Sequence, residues 1–475
     1  MTEDQHVSAL QQRRLPRHVC AVAAPAPQPI AVPNASPDPP QLEERQILDG
    51  LLSGMLWGIK DAVSKGNVDG ILSNLRKATP TSSPSSVDQA RQRIAQIVQN
   101  SKPVNIFEYS ALLQANSLIS GTLTTLIDGI AGQFSDQNSI SNTNPDPPTP
   151  VYPQRLPCDA PYTLSESSLR SAIYIPPTFT FGQKPPVILF PGTGNTGYQT
   201  FSGNLIPLLT SVPWADPIWV NVPDSLTNDA QLNAQYAAYA LNYIASLTSR
   251  NVTIAAWSQG NINTQWALKY YPSTRQTTAN HIALSADYAG TINANFICPD
   301  GLASCSPAVY QQQYLSASNY ISALRSNGGD SAYVPTTSIY SALLDQVVQP
   351  QSGSLASAFL RDDRGVGAAN YEVQSVCAGQ VAGSVDTHEG ILYHPLAVAL
   401  LRDAMANEGL GRVERLDVEG LCKGYLAEGL GLGEFLVTEN AVVVAGLNIL
   451  VGQPRTTREP ELLAFATEAP GVCTD

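Results

Sequence analysis

A serine, an acid, a histidine and a glycine-rich loop occur in this chain in an arrangement that can support acyl transfer. The segment 251–261 reads as a short buried strand over 252–256 that breaks at Ser258 into a helix-compatible stretch, 262–270, ended by Pro272. A tight strand–turn–helix lifts a hydroxyl clear of its sheet, and the small neighbours Ala256 and Gly260 let other backbone approach closely enough to form the bend. The usual pattern is Gly-x-Ser-x-Gly. Ala256 replaces the first glycine, so the motif alone is weak and competes with an ordinary strand-to-helix turn.

A second segment supplies what a serine nucleophile lacks. An apolar run, 187–190, leads into Pro191, Gly192, Thr193, Gly194, Asn195, Thr196 and Gly197, a loop N-terminal to the serine. Such a loop can present a backbone N–H to a developing oxyanion, with Thr193 as one donor and Gln259, the residue after the serine, as the other. The competing reading is a phosphate loop or a plain turn, but no Lys-Ser/Thr follows the glycines. A base must come from five histidines. His6 and His18 lie in a polar, proline-rich leader, and His281 opens an apolar run and reads as a strand-edge residue. His388, in a loop before the helix-like 397–406, fits the order Ser, acid, His; His394, just before Pro395, is the fallback. The acid is expected at Asp345, after an apolar element and before a proline-ended loop, where it would fix the imidazole tautomer. Its rivals Asp330, Asp362, Asp363 and Asp386 sit in Gly- or charge-rich stretches that read as solvated.

From 187 to 475 these residues resemble the Candida antarctica lipase B-like family of fungal lipases, within the α/β-hydrolases. The resemblance is carried by Phe190-Pro191-Gly192-Thr193-Gly194, Trp257-Ser258-Gln259-Gly260, Asp287-Tyr288 with Gly290-Thr291, Val334-Pro335-Thr336-Thr337, Val348-Gln349-Pro350-Gln351 and the Asp345/His388 pair. It implies Ser258 as nucleophile, His388 as base, Asp345 as acid and Thr193 with Gln259 as the oxyanion hole. Trp257, Asp287, Gln312 and Val347 would line the substrate cleft, with Asn195 and Thr200 on the same wall. It also implies a bridge between Cys377 and Cys422. Cys473 matches a family cysteine whose usual mate position is Arg458 here, which leaves Cys158 as a candidate replacement, the alternative being two free or differently paired thiols. Three departures stand out: Asn261 follows the elbow glycine, one extra residue lies within Ala342-Leu343-Leu344, and the C-terminal apolar region 435–451 matches poorly.

The elements that must position these residues imply an α/β class: an α/β-hydrolase with a mostly parallel sheet flanked by helices, preceded by an N-terminal helical region. Residues 1–40 are Pro/Ala-rich and read as a disordered leader. Over 41–135, Ile47, Leu48, Leu51, Leu52, Met55, Leu56, Ile59 and Val63 recur at helical spacing, and 87–100 and 107–134 add further helices, together a prosegment or cap. Residues 136–157, rich in Asn and Pro, read as a linker, and 158–475 as the catalytic domain. The helices within 41–135 are expected to be separable from catalysis, so that a chain begun near Tyr152 still folds and hydrolyses small soluble esters.

Length and charge narrow the function. The 475 residues hold one large domain and a smaller unit, and a net charge of −13 disfavours nucleic acid or an anionic membrane as partner. No stretch reads as a transmembrane helix; the apolar 441–451 reads as a pocket-lining helix. Seven cysteines favour an oxidising compartment, hence secretion, although the polar N-terminus does not read as a signal. Cys298 and Cys305 flank a loop short enough for a local bridge, and scarce histidines without Cys-x-x-Cys argue against a metal site; no cofactor is expected. The function expected is serine-dependent hydrolysis of carboxylic esters, foremost of triacylglycerols, with ester or lipid substrates met at an oil–water interface. The alternatives are a short-chain carboxylesterase or acyltransferase of the same fold, or a non-catalytic binding scaffold.

Overall fold

The structure, a computed structural model, describes residues 39–129, 135–342 and 344–467. The disordered leader read over 1–40 lies almost wholly outside the described residues, as do Cys20, Cys473, Leu343, His6 and His18. Two compact units divide the chain, 1–49 and 50–475.

Helices open the described part: α1 (Pro39–Ser64), α2 (Val68–Leu75), α3 (Val87–Gln96), α4 (Ile106–Ala115) and α5 (Leu123–Gly129). The starts are written in the sequence. Ser86 and Asn105 accept hydrogen bonds from the first-turn N–H groups of α3 and α4, satisfying donors that a helix cannot use internally. Val98 and Ile97 fall in a π-turn, Ile97–Ser101, that ends at Lys102 in the left-handed region. Residues 135–157 hold only a short turn, Asp136–Asn138, and are tied down at intervals, as where Thr149 donates to and accepts from Ser246 Oγ.

Seven strands follow: β1 (Ile173–Tyr174), β2 (Pro186–Phe190), β3 (Asp216–Val220), β4 (Val252–Trp257), β5 (Thr278–Leu284), β6 (Thr336–Tyr340) and β7 (Ala368–Glu372). Their order across the sheet is β1-β3-β2-β4-β5-β6-β7, parallel except for β1 against β3. Helices on both faces bury β2, β3, β4 and β6 at every position, which is why those strands read as unbroken apolar or small-residue runs without alternation. Four longer helices matter to the site: α6 (Ala230–Thr248), α7 (Gln259–Tyr270), α8 (Pro395–Ala406) and α9 (Leu432–Val451).

Two sequence expectations are corrected here. His281 is no strand-edge residue: it lies mid-strand in β5, paired in register with Ile254 and Thr336, and is fully buried. Its Nε2 meets Asn261 Oδ1 at 3.0 Å, and burial pushes its pKa down to about 3, so the ring stays neutral. The C-terminal apolar segment is longer than the run 441–451. α9 spans 20 residues and is long and apolar enough by length and composition to cross a membrane, yet 67% of its most apolar window is buried inside the fold. It is packed as a core helix, with Val443 and Leu447 fully buried.

The helical segment shares the core of one sheet face. Ile59, Ile71, Leu75, Ile94, Leu113 and Phe107 belong to the same apolar cluster as Trp257, Ile282, Val443 and Leu447. Burial at this density is what holds short helices that would be marginal alone.

Candidate active site

Ser258 sits where β4 ends and α7 begins, at φ +53° and ψ −130°. A non-glycine residue there costs roughly 1–3 kcal/mol, strain that the surrounding strand and helix must hold. Close packing enforces the bend: a Cβ on Gly260 would lie 2.4 Å from the Pro191 carbonyl oxygen. Asn261, in place of a second glycine, braces the turn instead of loosening it. Its Nδ2 donates to the Ser258 and Leu284 carbonyls at 3.0 Å each, and its Oδ1 faces His281.

His388, on the loop after β7, lines the same cavity as Ser258. Its Nδ1 lies 2.8 Å from Asp345 Oδ2, and both side chains are buried. Asp345 Oδ1 accepts from the N–H groups of Val347 and Val348, at 2.9 and 2.7 Å, so the carboxylate cannot swing away. His388 N–H donates to Gln346 Oε1 and its carbonyl accepts from Trp257 Nε1 and Ser285 Oγ, which fixes the ring from the other side. Nε2 has no hydrogen-bond partner among the described residues and lines the same cavity as Ser258. Burial alone would lower the His388 pKa, but the carboxylates of Asp345, Glu389 and Asp287, Asp345 foremost, together outweigh it and hold the imidazole above its ordinary value.

The glycine loop stands over the serine. Thr193 lines the cavity, and its N–H donates to no other backbone group; Gln259, first residue of α7, has an N–H without an intrahelical acceptor. Thr193 Oγ1 lies 3.0 Å from Gln312 Oε1 and 2.8 Å from Gln259 Oε1. One hydroxyl proton serves only one of them. Gln312 is fixed by its own bond to the Ala308 carbonyl, while a half-turn of the Gln259 amide lets its unpartnered Nε2 donate to Thr193. α9 braces this loop: Asn448 Nδ2 donates to the Gly194 carbonyl, and Asn195 Nδ2 donates to that of Ala441.

Of the cleft residues expected from sequence, Trp257 and Val347 line the cavity, whose remaining wall includes Ile106, Ile297, Val442, Ala445 and Ile449. Gln312 stands behind Thr193. Asp287 is fully buried without a hydrogen-bond partner on either oxygen; burial pushes its pKa up to about 7 against the pull of His388. Thr200 is buried behind the same loop, away from the lining. The fallback His394 caps α8, accepting from the Leu396 N–H, with its Nε2 on the Ala382 carbonyl. Among the rival acids, Asp330 and Asp363 pair with Arg361 at the surface. Asp386 does not lie in a solvated stretch: it is fully buried, 3.8 Å from His394, and its pKa is raised by burial.

Cys298 is bonded to Cys305 and Cys377 to Cys422; Cys158 is also disulfide-bonded. No metal-binding cluster of His, Cys, Asp and Glu occurs among the described residues.

Sequence reading missed a set of polar residues under the site. Glu389, next to His388, accepts from Tyr109 Oη of α4 at 2.7 Å and from Gln346 Nε2 at 2.8 Å. Glu439 of α9 accepts from Tyr393 Oη at 3.0 Å, and burial together with the neighbouring Glu389 raises its pKa well above the ordinary range. The available signal was a lone glutamate inside the apolar run of α9, since a charge is not buried without partners.

Lipase B of Pseudozyma antarctica is 33% identical over 285 residues, 59% of this chain and 79% of that protein. The crystal structure of Aspergillus fumigatus lipase B superposes with a TM-score of 0.76 at 38% identity, over 88% of this chain and 99% of that one. No protein-family model matches the chain.

Proposed function

Because the chain belongs to the lipase B family and is a serine ester hydrolase, we propose that Ser258 attacks the ester carbonyl while His388 Nε2 takes its proton. Asp345 holds Nδ1–H toward its carboxylate and stabilises the imidazolium that forms. The N–H groups of Thr193 and Gln259 receive the oxyanion, and His388 then protonates the departing alcohol. Water, activated by the same imidazole, releases the acid from the acyl-enzyme. Trp257 and Val347 shape the cleft, Gln312 holds Thr193, and Asp287 lies beneath it. The single observation that carries this reading is the unpartnered His388 Nε2, aimed into a cavity shared with a strained serine and backed by a buried carboxylate.

The apolar wall of Ile297, Val442, Ala445 and Ile449 supports an acyl chain as ligand, and triacylglycerol at an oil–water interface as substrate. A second reading, a short-chain carboxylesterase, is favoured by the small size of the cavity, about 20 Å³. A series of esters from acetate to palmitate, assayed below and above the solubility limit, separates them. A lipase gains activity on long chains once an emulsion forms; an esterase loses it as the chain lengthens. The disulfides support an extracellular setting. In this reading the helices within 41–135 form a cap on the catalytic part, 158–475, with 136–157 as the connection between them.

A further inference from the structure

Ile106 is the first residue of α4, a helix that adds nothing to the sheet, yet its side chain lines the cavity with Ser258 and His388 and is 1% exposed. That cavity measures about 20 Å³. A cavity needs roughly 10–15 Å³ to hold a single water, so the space has room for about one water and for no acyl chain. Any larger ester needs more room, and one of the residues that take it up comes from outside the sheet and its covering helices.

Three contacts seat Ile106. Asn105 Oδ1 accepts from the N–H groups of Phe107 and Glu108, fixing the start of α4. Tyr109, one turn on, donates to Glu389, the neighbour of His388 in sequence. Beneath the side chain, α9 carries Gly446, where an added Cβ would stand 3.1 Å from Ile106 Cγ1 and press the side chain by a few tenths of an ångström. Two residues upstream, Val104 borders a groove of about 450 Å³ that reaches Asp345, and groove and cavity are bounded by the same segments, 98–106, 292–297 and 344–349.

We infer that Ile106 is a specificity-determining residue: it limits the size of ester that reaches Ser258, so selectivity is set in part by a helix outside the hydrolase sheet. This rests on Ser258 as nucleophile. The alternative is that Ile106 only fills the core, in which case its loss lowers stability and leaves selectivity alone.

The test uses the full chain and soluble p-nitrophenyl acetate, butyrate and octanoate, comparing kcat/KM for wild type, Ile106→Val and Ile106→Ala. The octanoate-to-acetate ratio is expected to rise about tenfold or more for Ile106→Ala, the scale on which one or two methylenes count in an apolar pocket, and by less for Ile106→Val. Gly446→Ala, pressing on Ile106 from below, should lower the ratio, and adding Ile106→Ala should restore it. A ratio unchanged within twofold in Ile106→Val and Ile106→Ala, whatever their melting temperatures, overturns the inference. Should Ile106→Ala fail to fold, the Ile106→Val ratio decides. Hydrolysis that persists in Ser258→Ala instead overturns the nucleophile reading, and this inference with it.

Discussion

Replacing Asp345 by Asn isolates what the carboxylate does for His388. Oδ1 of Asp345 accepts two backbone N–H bonds, from Val347 and Val348, and Oδ2 accepts from His388 Nδ1. An asparagine turned with its NH2 toward the backbone would oppose two donors, so its oxygen stays there and its NH2 faces the imidazole. Nδ1 must then accept, and the ring proton moves to Nε2. A protonated Nε2 cannot take the proton of Ser258. Loss of the right tautomer costs on the order of 10⁴ in kcat, about 5.5 kcal/mol at about 1.36 kcal/mol per decade. KM should change little, because no wall of the cleft is altered. The pH profile gives an independent reading. Burial lowers the His388 pKa and Asp345, with Glu389 and Asp287, more than restores it, and the neutral ring is the active one, so wild-type acylation should climb with pH through a midpoint above the ordinary value of 6.5. With that charge gone and burial kept, the midpoint in Asp345→Asn should fall below that of wild type. The assay is kcat and kcat/KM for p-nitrophenyl butyrate between about pH 5 and 10, with circular dichroism to establish folding. Activity within tenfold of wild type, or an unmoved midpoint, refutes the reasoning.

Other outcomes follow from the same geometry. Ser258→Ala and His388→Ala should each abolish ester hydrolysis, and the double variant should be hardly worse than either, because the pair acts as one unit; multiplicative losses in kcat would count against it. Asp287→Asn should stabilise the fold in a pH-dependent way. With the folded pKa near 7 against 3.8 for the free side chain, the native state favours the protonated acid, so its stabilising effect is complete below 3.8 and is lost as pH rises toward 7. The advantage of asparagine should therefore grow over that window and level off at about 4 kcal/mol, read as the difference in urea unfolding free energy at pH 4 and pH 8. A chain begun at Tyr152 would uncover Val443, Leu447 and Gly446 of α9, and is expected to melt at lower temperature and to bind a hydrophobic dye; an unchanged melting transition would show that the helices stabilise nothing.

Much of the site was legible because its chemistry constrains local sequence. The elbow needs a small residue at Gly260, the loop over Ser258 needs glycines such as Gly194, whose φ is +75°, and five histidines leave few candidates for a base. Register and burial of single polar residues were not legible. His281 looked like an edge because it begins an apolar run, yet Asn261 across the elbow gives it a partner in the sheet interior. Asp386 looked solvated because glycine and serine precede it, while the fold buries it beneath α8. α4 is buried on nearly every side, and a helix apolar or small all round does not announce which of its residues meets a cavity, so nothing in the sequence around Ile106 tied it to the distant Ser258.

The central claim is that Ser258 is the nucleophile, and covalent capture tests it most directly. The full chain is incubated with a fluorophosphonate, digested, and the phosphonylated peptide sequenced by mass spectrometry. The account predicts a single adduct on Ser258, absent from Ser258→Ala and formed much more slowly in His388→Ala. An adduct on another residue, or equal labelling of Ser258→Ala, would contradict it.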